Sequence, residues 1–272
     1  MRMTAPGLDT RAQRVPPAGG MLPPPDSQIA VWWATTDVSA GVLEQLRSEL
    51  DRDTVDRVNA LVREEDRRRA ILAHGLLRRL VSACLGVAPA AIAIDRTCAN
   101  CGAADHGKPT LGGFAAGARP PLQFNLAHSG SIVAVALAGP GMEVGIDVEA
   151  VQPQMRWSTI RRHVFSDAEW EETGASDDPT AERFALWARK EAAAKTTGHG
   201  LAIDLRHVQI DGPPGAAGFR TGRLEAPERD YRLVVADLPI GHDTAAAIAA
   251  LTPGDGDRPP APTVQLVRAD LG

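Results

Sequence analysis

The sequence predicts an α+β fold built from two similar lobes. Three observations carry that prediction. Short runs of β-branched and aromatic residues alternate with longer stretches whose apolar residues recur every three or four positions. The order strand, histidine-containing turn, alternating Ala/Val segment in Gln123 to Ala136 is echoed around Gly241 and His242 in Tyr231 to Leu251. Between two breaker-rich ends lies a body of about 225 residues, enough for two lobes by ordinary domain size.

Residues 1–27 hold Pro6, Pro16, Pro17, Pro23, Pro24 and Pro25 with Gly7, Gly19 and Gly20 and show no apolar periodicity, so they read as a disordered leader. Ile29 to Trp33 has the composition of a strand, with Trp32 and Trp33 as lobe core rather than a stacking platform. Arg57 to Leu85 places Val58, Leu61, Val62, Ile71, Leu72, Leu76, Leu77, Leu80 and Val81 on one stripe, an amphipathic helix or two in succession that Gly86 stops. Leu122 to Asn125 and Ile132 to Leu137 read as strands joined by a turn at His128, Ser129 and Gly130, and Val144 to Val148 as another. This completes a first lobe, 28–142, and opens a second, 143–252. Ser166 and Glu169 stand at capping-box spacing and start a helix, and a longer one runs from about Ala181 to Thr197 before Gly198. Val208 to Ile210 and Tyr231 to Val235 are strands. Thr244 to Leu251 is helical by alanine content alone, but its place in the repeated order makes it a strand. Breakers return from Pro253 to Pro262, so 253–272 reads as a loose tail ending in the short apolar piece Val264 to Val267.

Composition narrows the function. The 272 residues are 44% hydrophobic, and no run approaches the roughly 20 apolar residues of a membrane helix. The N-terminus lacks a basic segment followed by an apolar run, so a cytoplasmic protein is expected, without membrane partners. The net charge of -5 does not favour nucleic acid, so any anion site must be local. Three cysteines, Cys84, Cys98 and Cys101, suit a reducing compartment better than a disulfide framework. Cys98, Cys101 and the nearby His106 have the make-up of half a zinc site or of a plain thiol loop.

Two segments carry chemistry. In Gly145, Ile146, Asp147, Val148, Glu149, strand geometry turns Asp147 and Glu149 to one side, where two carboxylates repel unless a cation lies between them. Carboxylate oxygens suit magnesium, which completes its shell with water and phosphate. In the helix from Trp187 to Lys195, Trp187, Glu191 and Lys195 share a face at steps of four. An ordinary Glu-to-Lys helix pair, worth about 0.3 to 0.5 kcal/mol, explains that spacing equally well.

Together the two segments resemble the signature of the 4′-phosphopantetheinyl transferases of the Sfp type: G-I-D-x-E on Gly145, Ile146, Asp147 and Glu149, then W-x-x-K-E-x-x-x-K on Trp187, Lys190, Glu191 and Lys195. The likeness extends to Gly107, Lys108, Pro109, to Phe124 through Gly130, and to Phe165 through Trp170. It implies pseudo-two-fold symmetry of the lobes with a ligand cleft between them. It also implies transfer of the phosphopantetheine arm of coenzyme A to a serine of an apo acyl or peptidyl carrier protein, releasing adenosine 3′,5′-bisphosphate. By the same resemblance Asp147, Glu149 and Glu191 hold magnesium, Glu191 takes the serine proton directly or through water, Lys195 stabilises the leaving phosphate and Lys190 helps hold the site. Arg57, Arg69, Lys108 and His128 bind coenzyme A phosphates. The residue before His128 is Ala127 where the family usually has serine, and Ser129 is the substitute hydroxyl. Because one chain supplies both lobes, a monomer is expected. A basic patch near Arg156, Arg161 and Arg162 is expected to meet acidic carriers.

Two other readings stay open at this point. A magnesium-dependent hydrolase of coenzyme A or a nucleotide pyrophosphate would use the same carboxylates with water. A nucleic-acid-binding module would use the arginines of Asp51 to Arg79, although acidic residues interleave them.

Overall fold

The computed structural model describes residues 12–98, 101–104, 106–114, 118–198, 203–226, 229–251 and 261–272. The chain opens with a short strand β1 (Ala12–Arg14) and an eight-residue strand β2 (Gln28–Thr35), then three helices, α1 (Ala40–Ser48), α2 (Arg52–Ala60) and α3 (Glu64–Leu85). A small hairpin follows, β3 (Ile94–Asp95) with β4 (Thr110–Leu111), and then β5 (Gln123–Ser129), β6 (Ile132–Ala138) and β7 (Glu143–Ala150). Helices α4 (Arg161–Val164), α5 (Asp167–Gly174) and α6 (Pro179–Thr197) precede β8 (Val208–Ile210), β9 (Arg220–Glu225), β10 (Asp230–Asp237), β11 (Thr244–Leu251) and β12 (Thr263–Asp270).

The strands form two five-stranded sheets, ordered β1-β12-β2-β6-β5 and β7-β11-β10-β9-β8. Alternation along each strand sorts its side chains between layers. Ala30, Trp32 and Ala34 of β2 join the α3 core with Leu72, Leu76 and Leu80. Ile29 and Val31 face the other way, into a core that also holds Ile146, Val148, Ile248 and Ala250 of the second sheet. Ala247 and Ala249 close a third core with Ala192 and Ala193 of α6. The layers therefore run helix, sheet, sheet, helix, the mixed α+β arrangement expected.

The two ends depart from the sequence reading. The expected loose tail contains β12, an eight-residue strand that pairs parallel with β2 and buries Val267 to 1% exposure. The described part of the expected leader is also docked. β1 pairs parallel with β12, Gly19 and Met21 donate backbone bonds to Ser82 and Ala83, and Asp26 accepts from Gly141. Thr263–Asp270 contains no proline or glycine and can pair on both edges, and proline-rich chain can still dock onto a helix end.

The basic helical stretch divides at Leu61, with Gly86 in the left-handed region at φ 71° stopping α3. Four of its arginines are paired locally: Arg67 with Glu64, Arg79 with Glu49, Arg69 with Asp66 and the buried Arg78 with Asp51. β5 continues through His128 and Ser129, so the turn is narrower than expected and both side chains are strand residues. Among the described residues no helix is long and apolar enough to cross a membrane.

Candidate active site

Gly145 sets the site by bringing β7 against α6. A Cβ on Gly145 would lie 2.1 Å from the Ala192 carbonyl oxygen and 2.8 Å from the Thr196 amide nitrogen, so only glycine permits this approach. Two and four residues further on the same side of β7 stand Asp147 and Glu149, and α6 presents Glu191 and Lys195 one turn apart. The run Ala192, Ala193, Ala194 fills the interface without pushing helix and sheet apart.

Lys195 Nζ donates to Asp147 Oδ1 at 2.6 Å, while Asp147 Oδ2 is buried with no hydrogen-bond partner. Burial, then the neighbouring charges of Asp147 and Glu191, push the Glu149 carboxyl up to about 7 against the opposing pull of Lys195 and Ser129. Burial and the Asp147 charge also raise Glu191, whose Oε1 accepts from the Trp187 indole N–H at 3.4 Å. Burial works against the charge on Lys195, but Asp147, Glu191 and Glu149 outweigh it and hold that lysine above its ordinary value. Three carboxylates thus share one ammonium, which leaves an excess of negative charge in a poorly solvated place.

On the other side of Lys195 lies a cavity of about 380 Å³ that is cationic in character. Lys108, His128, Lys195, His74 and Arg96 line it. Burial and the charges of Arg69 and Lys195 lower the His128 pKa. His74 is pushed down to about 3 by burial and by Arg96, His128 and Arg57, and Arg96 is itself lowered by burial and Arg57. His74 is therefore neutral, and the positive charge at the cavity rests on Arg96, Lys108 and Lys195, which an anion would offset. Lys108 Nζ is held by Glu143 at 2.6 Å and by the Thr196 carbonyl at 2.9 Å, next to the C-terminal end of α6. Arg69 donates to the Gly130 carbonyl at 3.0 Å, and its ion pair with Asp66 holds it near His128.

Two expected site residues fall elsewhere. Lys190 is wholly buried on another face of α6, where Nζ donates to the carbonyls of Val164 and Leu205 and pairs with Glu169 at 2.7 Å. One step along a helix turns a side chain by about 100°, so Lys190 cannot share the face of Glu191; it ties α6 to α4, α5 and the turn before β8. Ser129 is turned toward the carboxylates. Its hydroxyl accepts from the Ala150 amide at 3.1 Å and donates to Glu149 at 3.3 Å, making it a partner of the carboxylate cluster. Ala127 is buried in the inter-sheet core. The sequence reading passed over His74 and Arg96. A single histidine inside the apolar run Ala70 to Leu77 was the available signal for the first, and Arg96 had none before the hairpin placed it.

The chain is similar to known proteins over most of its length. Residues 143–249 match the family model of the 4′-phosphopantetheinyl transferase superfamily, and residues 33–139 match that of the 4′-phosphopantetheinyl transferase N-terminal region. The 4′-phosphopantetheinyl transferase HetI of a Nostoc species is 29% identical over 185 residues, covering 67% of this chain and 73% of that protein. A 4′-phosphopantetheinyl transferase of Bacillus subtilis is 26% identical over 210 residues, covering 73% and 86%, and a phosphopantetheinyl transferase of a Thraustochytrium species is 28% identical over 260 residues, covering 87% and 83%. The chain belongs to the 4′-phosphopantetheinyl transferase superfamily. It is a transferase that moves phosphopantetheine onto carrier proteins, with coenzyme A as its substrate.

Proposed function

We propose that this chain works as an Sfp-type enzyme: it joins the phosphopantetheine phosphate of coenzyme A to a serine oxygen of an apo acyl or peptidyl carrier protein, and adenosine 3′,5′-bisphosphate leaves. The observation that carries the reading is the unpartnered, buried Asp147 Oδ2 in a cluster of three carboxylates, joined through Lys195 to a cationic cavity. The donor set fits a hard divalent cation, because all the donors are carboxylate oxygens and their charge exceeds that of the one ammonium beside them. Asp147, Glu149 and Glu191 would hold magnesium, which when bound offsets charge on the pyrophosphate.

The remaining work belongs to the chain. Lys108, His128 and Arg69, with Arg57 and Arg96 behind them, bind and orient the coenzyme A phosphates. Lys195, kept charged by its three acidic neighbours, stays by the phosphate that departs. Glu191 takes the serine proton directly or through water. The core sequence β2, α3, β5, β6 and its counterpart β7, α6, β10, β11 give the same antiparallel orders, β2-β6-β5 and β7-β11-β10, which supports two duplicated lobes with the ligand between them. One chain supplies both the carboxylates and the cationic cavity, which supports a monomer.

The test is intact-mass spectrometry of one acyl and one peptidyl apo carrier incubated with the protein, coenzyme A and magnesium. The expected result is a gain of one phosphopantetheine arm that disappears with chelator and with Glu191→Ala. Coenzyme A consumed with neither carrier modified would overturn the reading in favour of hydrolysis.

A further inference from the structure

The loop between the strands of the β3–β4 hairpin carries two cysteines that the transferase chemistry does not use, beside His106, which also lines the cationic cavity. Its sulfur and imidazole atoms, one each from Cys98, Cys101 and His106, all lie within 4.8 Å of one another, and Cys101 Sγ is 3.2 Å from His106 Nε2. A tetrahedral zinc ion with ordinary bond lengths separates two thiolate sulfurs by about 3.8 Å and a sulfur from an imidazole nitrogen by about 3.6 Å. A set of donors within 4.8 Å of one another is compact enough to close around one such ion.

The backbone is shaped to hold it. The Cys98 carbonyl accepts from the Gly102 amide at 2.9 Å and the Cys98 amide donates to the Ala103 carbonyl at 2.7 Å, folding the two cysteines onto one turn. Gly102 sits at φ 74°, which a residue with a side chain reaches only with strain. Beyond it, the Gly107 amide donates to the Arg96 carbonyl at 2.7 Å, and a Cβ on Gly107 would lie 2.3 Å from the Thr97 carbonyl oxygen. That close return places His106 beside the cysteine turn.

We propose that Cys98, Cys101 and His106 bind one zinc ion, with water in the fourth position. Two thiolates and an imidazole select zinc over the hard cations that suit the carboxylate cluster, so the two metal sites differ in chemistry as well as place. Both thiols lose their protons on binding, and zinc uptake falls as the pH is lowered. The ion staples this loop, in which only Cys98 of the three ligands is buried. Arg96 stands two residues before Cys98 and Lys108 two residues after His106, and both line the cationic cavity. Resting on the proposed coenzyme A site, the staple is a positioning device for these two cations.

The experiment is metal analysis of the untagged full-length protein purified without chelator, together with cobalt substitution. About one zinc per chain is expected, falling to below ~0.1 in Cys101→Ser and His106→Ala and unchanged in Cys84→Ser. Cobalt should give thiolate-to-metal charge-transfer bands and tetrahedral ligand-field bands, a readout on the unmutated chain that holds even if a variant misfolds. Protein that neither contains zinc nor takes it up, zinc that survives both ligand substitutions, or a Cys98–Cys101 disulfide in freshly isolated protein would each overturn the proposal. Removing the zinc should raise the coenzyme A KM by about tenfold with a smaller change in kcat, the size typical of lost support around a site. The metal and cobalt readouts do not depend on transferase activity, so failure of the zinc site and failure of the coenzyme A reading are separable.

Discussion

Lys190 and Glu191 are neighbours in the chain with opposite duties. Lys190 lies fully inside the protein with three acceptors, so removing its charge leaves the Val164 and Leu205 carbonyls without their donor and takes the ion partner from Glu169, which keeps its bonds from Ser166. Breaking a buried pair from one side costs about 3 to 5 kcal/mol. Lys190→Met should therefore lower the thermal midpoint strongly while kcat per folded molecule holds, whereas Glu191→Ala should abolish turnover and leave the midpoint nearly unchanged. Paired melting and single-turnover measurements check this, and equal loss of kcat in both would return Lys190 to the site. His74 supplies a pH test. Its folded pKa of about 3 lies below the ordinary value of 6.5, so between these values the unfolded chain binds a proton that the native one does not. Its contribution is fully present above about pH 6.5 and is lost as pH falls toward 3, with a slope of at most about 1.4 kcal/mol per pH unit. Thermal midpoints in metal-free buffer should fall less steeply with acid in His74→Gln than in the parent. Identical slopes would show that the group titrates normally.

At the scale of elements, contact between β7 and α6 decides whether carboxylates and lysine meet. Replacing Gly145 by alanine sets a methyl against helix backbone, which cannot swing aside as a side-chain tip can. An overpacking cost of about 1 to 3 kcal/mol is expected. A shift of α6 by about 1 Å should reduce turnover by on the order of a hundredfold. Gly145→Ala should thus lose more activity than unfolding explains, measurable as kcat at a temperature where circular dichroism shows native protein. β11 illustrates the same contact from the other side. Its alanines favour helix by propensity, yet the segment is a strand because β7 and β10 supply ladder partners on both edges and small side chains admit α6. The start of α5 was legible without tertiary information, since Ser166 and Glu169 form a complete capping box.

At the scale of the molecule, β12 closes the chain onto its own beginning. It lies between β1 and β2, so deleting residues 261–272 should bare the β2 edge and the apolar surface under Val267. The truncated chain is expected to aggregate or to lose its cooperative melt, seen by size-exclusion chromatography and circular dichroism. A truncated chain that melts like the parent would make β12 an accessory strand. The basic patch divides on inspection. Arg161 pairs with Asp167 at 2.9 Å and stacks 4.9 Å from the Trp170 ring, whereas Arg156 and Arg162 are exposed. Reversing both exposed charges should raise the carrier KM several-fold at low salt, less at high salt, and leave the coenzyme A KM unaltered. An unchanged carrier KM would move the docking surface elsewhere.

Local order was written in the sequence: the periods of β2, α3 and α6, the caps at Ser166, Gly86 and Gly198, and the spacing that puts Asp147 and Glu149 on one side and Glu191 and Lys195 on another. These depend on residues a few positions apart, whose geometry is fixed by the backbone itself. The tertiary structure alone decided that the proline-rich ends dock, that Lys190 supports the frame, that Ser129 serves Glu149, and that His74 and Arg96 join the cationic cavity. Each of those outcomes depends on which distant segment arrives opposite a side chain, and burial and charge at that meeting place are properties of the pair rather than of either sequence.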